Sequence, residues 1–260
     1  MDAVTPGHPE PFAVMTAFLL CLSWPVHAES PPVLEVGKFS AAAEGALLPV
    51  GWKPLTFPKI KRHTTYTLVK EDGPTVVKAM SEASASGLTR EIIVNLKEYP
   101  MLSWRWKVMN VLAHGDVTKK EGDDCPARLY VTMGVNTAAL GLWEKAKFAA
   151  YKLIYGRYPP LAAVNYIWAS KAPKGAVLSS PYTDRSKIIV IESGPELVNH
   201  WVTEERNLFE DYTQAFGAQP PLVSGVAIMT DTDNTGESAI AYYGDIVFKK
   251  SRTASDKDVR

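Results

Sequence analysis

The sequence has little cysteine. Only Cys21 and Cys125 occur among its 260 residues, and Cys21 falls within a predicted export signal that is described below. The rest of the chain therefore keeps a single thiol, which cannot form an internal disulfide. A fold without covalent cross-links depends on the burial of apolar surface, and a chain of this length is long enough to build a substantial core.

An excess of basic charge is also absent. Lys plus Arg and Asp plus Glu number 28 each, so the formal net charge is zero. Proteins that bind nucleic acid usually carry a basic excess or a clustered basic face. We therefore expect no nucleic-acid partner for this protein.

Recognisable catalytic motifs are missing as well. The sequence contains no P-loop, no G-x-G-x-x-G, no G-x-S-x-G elbow, no H-E-x-x-H and no C-x-x-C. After the predicted signal only His63, His114 and His200 remain, and they are widely spaced. This pattern argues against a zinc hydrolase or a Ser–His hydrolase. No cofactor is expected, apart from a structural calcium ion that is considered below.

The N-terminus resembles a secretory signal. An apolar run at residues 12–22 precedes Val26 and Ala28, which supply the small residues that predict cleavage before Glu29. The run is too short to span a bilayer, and no transmembrane segment follows it. No Lys or Arg precedes the run, and Met15 is an alternative start. A disordered leader in a cytoplasmic protein is the other interpretation, but we expect a periplasmic or secreted protein.

The remaining sequence favours an all-β fold. Many short segments of alternating or apolar residues are separated by Gly, Pro, Asn and Asp, a pattern typical of an antiparallel β-sandwich or jelly roll. Two helical insertions are predicted at 136–156 and 202–217, the second with a cap at Thr203. The predicted organisation is a signal peptide at 1–28, a segment rich in Pro and Ala at 29–49, a single β-sandwich domain at 50–249 and a disordered tail at 250–260.

The segment "MLSWRWKV" alternates strictly and suggests a ligand-binding surface. Its apolar residues face one way, and Arg105 and Lys107 face the other. In "ARLYVT", Arg128 and Tyr130 also share a face. If the two strands are neighbours, these four side chains line one concave surface, and mixtures of rings and charges are typical of carbohydrate sites. Alternatively, the tryptophans fill the core and Arg105 pairs with a buried acid.

The turn at 231–237, "DTDNTGE", concentrates oxygen ligands. Its spacing partly matches a calcium loop, but Tyr242 stands where an EF-hand has its bidentate glutamate, so an EF-hand is excluded. Three interpretations remain open. The turn could bind a cation such as calcium through Asp231, Asp233 and Glu237. It could form a ligand-binding rim through Asp231, Asp233 and Asn234, or it could be a polar turn that satisfies local backbone amides.

Paired carboxylates provide a catalytic alternative. Glycoside hydrolysis uses one acid together with a base or nucleophile, and both are usually carboxyl groups. The candidate catalytic residues are Asp124, Glu192, Asp231 and Asp233. Glu192 ends an apolar segment and needs a cationic partner there, for which Arg185 and Arg206 are candidates.

Eight segments spread over residues 50–248 resemble a known family. They are "GWKPLTFPKIKRHTTYTLV", "SASGL", "LSWRWKV", "GDDCPARLYV", "NYIWAS", "SPYTDRSKIIVIESG", "WVTEERNLFEDYTQAFG" and "SGVAIMTDTDNTGESAIAYYGDI". Together they resemble the bacterial family catalogued as domain of unknown function 3047. The resemblance implies an exported bacterial protein and supplies no established activity or catalytic residues. More distantly, the ending "YYGDIVF" is similar to galactose-binding-like jelly rolls, which often bind glycans and hold a structural calcium.

Three functions are therefore weighed. The first is an exported envelope protein that binds carbohydrate, with a glycan or another envelope component as its partner. The second is a hydrolase or lyase that acts on a glycan through paired carboxylates. The third is a structural or assembly factor of the envelope that docks through the predicted helix at 138–155.

Overall fold

The computed structural model describes Met1, residues 32–134 and residues 161–251. The predicted signal peptide, the predicted helix at 136–156 and most of the predicted tail lie outside the described residues. In the described part of the chain, no helix has the length and apolar character needed to cross a bilayer.

The described residues form thirteen strands and one α-helix, α1 (Leu208–Phe216). Short 3-10 turns occur at Phe39–Ala41 and Lys120–Gly122. The strands are β1 (Val33–Gly37), β2 (Lys53–Leu55), β3 (Thr65–Lys70), β4 (Thr75–Glu82), β5 (Ala85–Val94), β6 (Met101–Val108), β7 (Ala127–Met133), β8 (Ala162–Ala169), β9 (Val177–Ser180), β10 (Thr183–Ser193), β11 (Val202–Asn207), β12 (Val223–Asp231) and β13 (Ser238–Lys249).

The strands form two sheets that share one core, which confirms the predicted β-sandwich. Sheet A has the order β11–β6–β13–β4–β3, and β1 pairs with the C-terminal part of β13. Sheet B has the order β2–β5–β12–β7–β8–β10–β9. All pairs are antiparallel except β8 and β10, which run parallel. Because β1 belongs to sheet A, the sandwich begins before residue 50, within the predicted Pro- and Ala-rich segment.

The alternation predicted for β6 is confirmed by the contacts of its side chains. Four of its five apolar side chains are at most 2% exposed and belong to the core between the sheets, whereas Arg105 and Lys107 lie against Trp201 on the outer side of sheet A. The buried set is Leu102, Trp104, Trp106 and Val108. Successive side chains of a strand point to opposite faces, so burial of the tryptophans places the cations outside.

Aromatic contacts join the two sheets at the centre of the core. The ring of Trp104 on β6 stacks on Tyr166 of β8 at 5.1 Å between centroids, and Trp106 lies 6.1 Å from Trp168 of the same strand. Within β6, Trp104 and Trp106 meet edge to face at 5.5 Å. Such aromatic pairs each contribute about 0.5–1.5 kcal/mol beyond the area they bury.

Buried hydroxyl groups tie the end of β12 to sheet A. The Tyr243 hydroxyl donates to the Met229 carbonyl at 2.6 Å and lies 2.8 Å from the Thr230 hydroxyl. The Ser81 and Thr232 hydroxyls lie 2.8 Å apart. These bonds fix the strand end from which the acidic turn at 231–237 begins.

The second predicted helix is shorter than expected. The cap predicted at Thr203 was wrong, because residues 202–207 form β11 and pair with β6. Pairing with a neighbouring strand outweighs the local helix propensity of this acidic segment. The helix instead begins after Asn207, whose side chain accepts from the Glu210 amide at 3.3 Å, and ends at Gly217, which adopts the left-handed conformation.

We expect Trp106→Ala to lower the free energy of unfolding by about 3–5 kcal/mol, because it removes a ring that bridges the sheets and leaves a cavity. Urea denaturation of the purified protein measures the effect. The control is Ile93→Ala, which changes an apolar side chain that is 70% exposed and should shift stability by less than about 0.5 kcal/mol. Equal midpoints for both variants would contradict the assignment of Trp106 to the core.

Candidate functional site

The four side chains expected to line one surface lie on different sheets. Arg105 and Lys107 project from β6 in sheet A, whereas Arg128 and Tyr130 belong to β7 in sheet B. The prediction of a shared concave surface was therefore wrong. Its physical reason is strand pairing, since β6 pairs with β11 and β13 and β7 pairs with β12 and β8. The ligand-binding role of each residue stays a prediction.

On sheet A, cations on the outer side of the sheet surround an aromatic ring that the sequence analysis did not single out, Trp201. The Cζ atom of Arg105 lies 4.4 Å from the centroid of the Trp201 ring, and the Nζ atom of Lys107 lies 5.4 Å from it. The ring of Tyr242 is 6.4 Å away, and Lys78 lies over Tyr242 at 5.9 Å. We call these five residues the Trp201 platform. Cations placed over aromatic faces are attracted to them.

The loop before β11 brings Trp201 back over the sheet. Asn199 has a left-handed backbone with φ 65°, and its amide donates to the Val108 carbonyl at the end of β6 at 2.9 Å. Asparagine tolerates this conformation better than most residues. The chain therefore reverses beside β6, and Trp201 lies above the outward side chains of that strand.

Acidic groups of the β3–β4 turn fix the orientation of the platform. The indole N–H of Trp201 donates to Oδ2 of Asp72 at 2.9 Å, and Lys107 donates to the same oxygen at 3.1 Å and to Glu71. The hydrogen bond from Lys107, followed by that from Trp201, lowers the pKa of Asp72. Lys107 is 6% exposed, and its charge is balanced by these two carboxylates.

Gly244 makes room for Arg105. A Cβ atom at this position would lie 2.4 Å from both Cγ and Nε of Arg105, which is much closer than non-bonded atoms allow. The absence of a side chain at Gly244 therefore lets Arg105 lie along the sheet and reach Trp201.

An open groove of about 370 Å³ lies beside the platform on the same sheet. The platform and the groove are adjacent along β13 and β4. Tyr242 and Lys78 of the platform form one cross-strand pair, and Ile240 and Met80 of the groove form the pair two residues further along the same strands. The groove is lined by Arg62, His63, Thr65, Met80, Ser81, Glu82, Ser84, Ser238 and Ile240. The platform and the groove together offer a continuous surface of rings, apolar side chains and polar groups.

On sheet B, Arg128 forms a buried ion-pair network. The side chain is 1% exposed. Its Nε donates to Oδ1 of Asp231 at 2.7 Å, and its Nη2 donates to Oδ1 of Asp123 at 3.0 Å and to the Asp123 carbonyl at 2.6 Å. Tyr130 follows on the same face and is half-buried. A buried charge of this kind is tolerated only when it is paired and hydrogen-bonded.

Carboxylates in and beside the turn accept hydrogen bonds from backbone amides of other segments. Oδ1 of Asp124 accepts from the Asn234 amide at 3.3 Å, and Oδ2 accepts from the Thr235 amide at 2.6 Å. The two carboxylate oxygens of Glu237 accept from the amides of Ala113 and His114 at 2.9 and 2.8 Å. These bonds hold the turn against the neighbouring loops.

Three carboxylates of this region could hold a cation. Oxygen atoms of Asp124, Asp231 and Asp233 lie within 4.8 Å of one another, and such oxygen donors suit calcium. Two features oppose the binding of a cation. Asp231 already accepts a hydrogen bond from the positively charged Arg128, and both oxygens of Asp124 accept hydrogen bonds from backbone amides. Glu237 does not belong to this group. Calcium binding therefore stays a prediction. The carboxylates that lie close together are Asp124, Asp231 and Asp233, whereas the sequence analysis named Glu237 instead of Asp124.

The four catalytic candidates do not form one group. Glu192 lies on β10 and its Oε1 accepts from Lys174 at 2.5 Å, so its partner is neither of the arginines suggested by the sequence. Strands β7 and β8 separate β10 from β12, which carries Asp231. At about 4.8 Å per strand, three spacings place these strands about 14 Å apart. A catalytic role for Glu192 together with Asp231 gains no support from this arrangement.

Comparison with known proteins identifies the family. The chain belongs to the family described as "Protein of unknown function (DUF3047)", whose model matches residues 50–247. A search of curated protein sequences gives no match.

Three solved structures are similar at low identity. The CBM22-1 xylan-binding domain from Paenibacillus barcinonensis Xyn10C is 12% identical over 86% of this chain and 99% of that domain, with a TM-score of 0.36. The glycoside hydrolase domain of Endo-D from Streptococcus pneumoniae R6 is 9% identical over 78% of this chain but only 22% of its own, with a TM-score of 0.31. The cellulose induced protein Cip1 is 10% identical over 75% and 90% of the two chains, also at 0.31. Scores this low support no inference about ligand or activity.

We expect Asp231→Asn to flatten the pH dependence of stability. Burial raises the pKa of Asp231 from 3.8 to about 7, and Arg128 opposes this rise. The folded state therefore holds the proton more tightly than the unfolded state. The resulting stabilisation is fully present below pH 3.8 and is lost as the pH rises to about 7, an effect on the order of a few kcal/mol.

Denaturation in urea at several pH values measures this difference between the wild type and Asp231→Asn. The control is Asp184→Asn, which changes an exposed carboxylate on β10. Parallel pH profiles for the wild type and Asp231→Asn would show that Asp231 titrates normally in the folded protein.

We expect millimolar Ca²⁺ to raise Tm by about 2–4 °C if the three aspartates bind it, because a ligand that binds only the folded state stabilises it. Thermal unfolding with Ca²⁺ and with EDTA measures the shift. Asp233→Asn should abolish the response, whereas Glu237→Gln should retain it, since Glu237 lies outside the group. Identical curves in Ca²⁺ and EDTA for the wild-type protein would refute the calcium prediction.

Proposed function

We propose that this protein binds carbohydrate through the Trp201 platform and the groove beside it. The observation that carries the proposal is the partly exposed Trp201 ring, which is held in place over Arg105 and Lys107. A ring in a fixed position can stack on the C–H face of a sugar without losing further conformational freedom, and nearby polar groups can bind the hydroxyls.

The geometry around the ring supports a free binding face. The contacts of Trp201 come from β6, from β13 and from the β3–β4 turn. The side chain nevertheless keeps part of its surface exposed. This exposed part of the ring is the surface that we propose for stacking on a sugar.

Polar groups at the edge of the platform suit sugar hydroxyls. Asp72 is exposed and accepts from the indole N–H, so its remaining oxygen is available to a ligand. In the groove, Ser238 and Glu82 are exposed at the ends of β13 and β4. Hydroxyl-bearing ligands are usually held by a small number of such groups at an apolar surface.

The proposed location is the periplasm or the exterior of the cell. It rests on the apolar run and the small residues that precede Glu29 in the sequence. In this location the ligand would be a polysaccharide of the cell envelope or of the surroundings. The glycan-acting enzyme is not proposed, because Glu192 is remote from Asp231, and Asp124 and Asp231 already accept hydrogen bonds from backbone amides and from Arg128. The assembly factor is not proposed, because the predicted helix at 138–155 lies outside the described residues.

We expect Trp201→Ala to abolish glycan binding while the protein stays folded, because the ring lies on the surface of sheet A. Affinity electrophoresis against xylan, galactan, polygalacturonate and isolated envelope polysaccharide measures binding. A loss of at least about tenfold corresponds to one stacked ring. Circular dichroism and urea denaturation confirm the fold.

The matched control is Tyr182→Ala, which removes an aromatic ring that is 56% exposed and contacts the loops of sheet B. This variant should bind glycans as the wild type does. The proposal fails if no polysaccharide is retained by the wild-type protein, or if Tyr182→Ala and Trp201→Ala lose binding equally.

A further inference from the structure

Two charged clusters, one on each sheet, differ in their balance of charge. On sheet B, Arg128 pairs with Asp123 and Asp231, and two further aspartates, Asp124 and Asp233, lie close to Asp231. On sheet A, the three cations of the Trp201 platform meet two nearby carboxylates, Glu71 and Asp72. Of these two clusters, the Trp201 platform is the one that favours a negatively charged ligand.

Two of the platform cations form no ion pair. Lys107 is balanced by Glu71 and Asp72, but neither Arg105 nor Lys78 lies within ion-pair distance of a carboxylate in the described part of the chain. The charge of Arg105 helps to lower the pKa of Asp72 without forming an ion pair with it. The guanidinium of Arg105 also donates no hydrogen bond to any described residue. Its position is nevertheless defined, because it lies against Trp201 and over Gly244. Arg105 thus presents N–H donors in a defined position beside the ring that we propose to bind sugar.

The spacing of these cations suits a chain of charged sugars. Lys78 on β4 and Arg105 on β6 are separated by β13, so their strands lie about 10 Å apart. Tyr242 lies between them on β13 and pairs with Lys78. An oligosaccharide that crosses these strands over Trp201 can place one carboxylate at each cation.

We infer that the Trp201 platform is selective for an acidic polysaccharide, a polyuronate in which each sugar carries a carboxylate. This inference rests on the proposed carbohydrate binding at the same surface. Arg105 binds one carboxylate through two N–H donors, the geometry that planar guanidinium groups favour. Lys78 binds a second carboxylate as a point charge, and Trp201 stacks on the intervening sugar.

The test compares two polymers that share one backbone. Polygalacturonate carries a free carboxylate on each unit, whereas fully methyl-esterified homogalacturonan has the same sugars without the charge. Affinity electrophoresis and calorimetry with the purified full chain should show polygalacturonate bound at least about tenfold more tightly, since charge-assisted hydrogen bonds are the stronger kind. The preference should shrink as NaCl is added.

Variants locate the effect on the platform. Arg105→Gln and Lys78→Gln should each weaken polygalacturonate binding by roughly tenfold. Gly244→Ala keeps the charge but displaces the Arg105 side chain, so it should weaken binding in the same direction. The matched control is Lys53→Gln, which removes an exposed lysine from β2 of sheet B and should leave binding unchanged.

The outcomes separate this inference from the function on which it rests. Equal binding of the esterified and free polymers, or equal effects of Lys53→Gln and Arg105→Gln, overturns the selectivity for acidic sugars and leaves carbohydrate binding standing. Binding to neither polymer nor to xylan or galactan overturns both. Preferential binding of polygalacturonate that is lost in Arg105→Gln and Gly244→Ala supports the inference.

Discussion

The burial of Trp104 and Trp106 between the sheets is the constraint on which the rest of the structure depends. Their rings contact Tyr166 and Trp168 of the opposite sheet, and the described residues contain no disulfide that would hold the sheets together instead. Because successive side chains of a strand point to opposite faces, the burial of two large rings on β6 places Arg105 on the outer face of the sheet. The position of the Trp201 platform is thus a consequence of how the core is packed.

The charged side chains of the two sheets are compensated in different ways. On sheet B, Arg128 is removed from water, and its desolvation is offset by hydrogen bonds to Asp123 and Asp231. Such a network holds loops together, and its members have few free donors or acceptors for a ligand. On sheet A, Arg105 and Lys78 remain partly exposed and form no ion pair with a described carboxylate. A charge that is not held in an ion pair can interact with a ligand, which is why we propose the binding surface there.

Much of the fold could be predicted from the sequence because it depends on local periodicity. The inward face of β6, the all-β class and the helix that ends at Gly217 all follow from patterns within about ten residues. The start of that helix could not be predicted in this way. Residues 202–207 have an acidic composition that suits a first helical turn, yet they form a strand because β6 offers an unpaired edge.

The candidate site was only partly predictable, for a related reason. Alternation identified Arg105 and Lys107, and the same alternation in "AIAYYGDIVF" could have identified Tyr242 as an outward-facing ring. Trp201 carries no such signal, because its position depends on the reversal of the chain at Asn199. The predicted grouping of Arg105 with Arg128 was wrong, because two strands with similar alternating patterns need not belong to the same sheet.

The sequence by itself determined which side of each strand is apolar, and therefore which residues are buried and which reach the surface. Only the tertiary structure decided which outward-facing residues meet. Strand pairing separated β6 from β7, joined Asp124 to the turn at 231–237, and brought Trp201 and Asp72 over Arg105 and Lys107. The physical reason is that periodicity acts within one segment, whereas pairing between distant strands is set by the packing of the whole core.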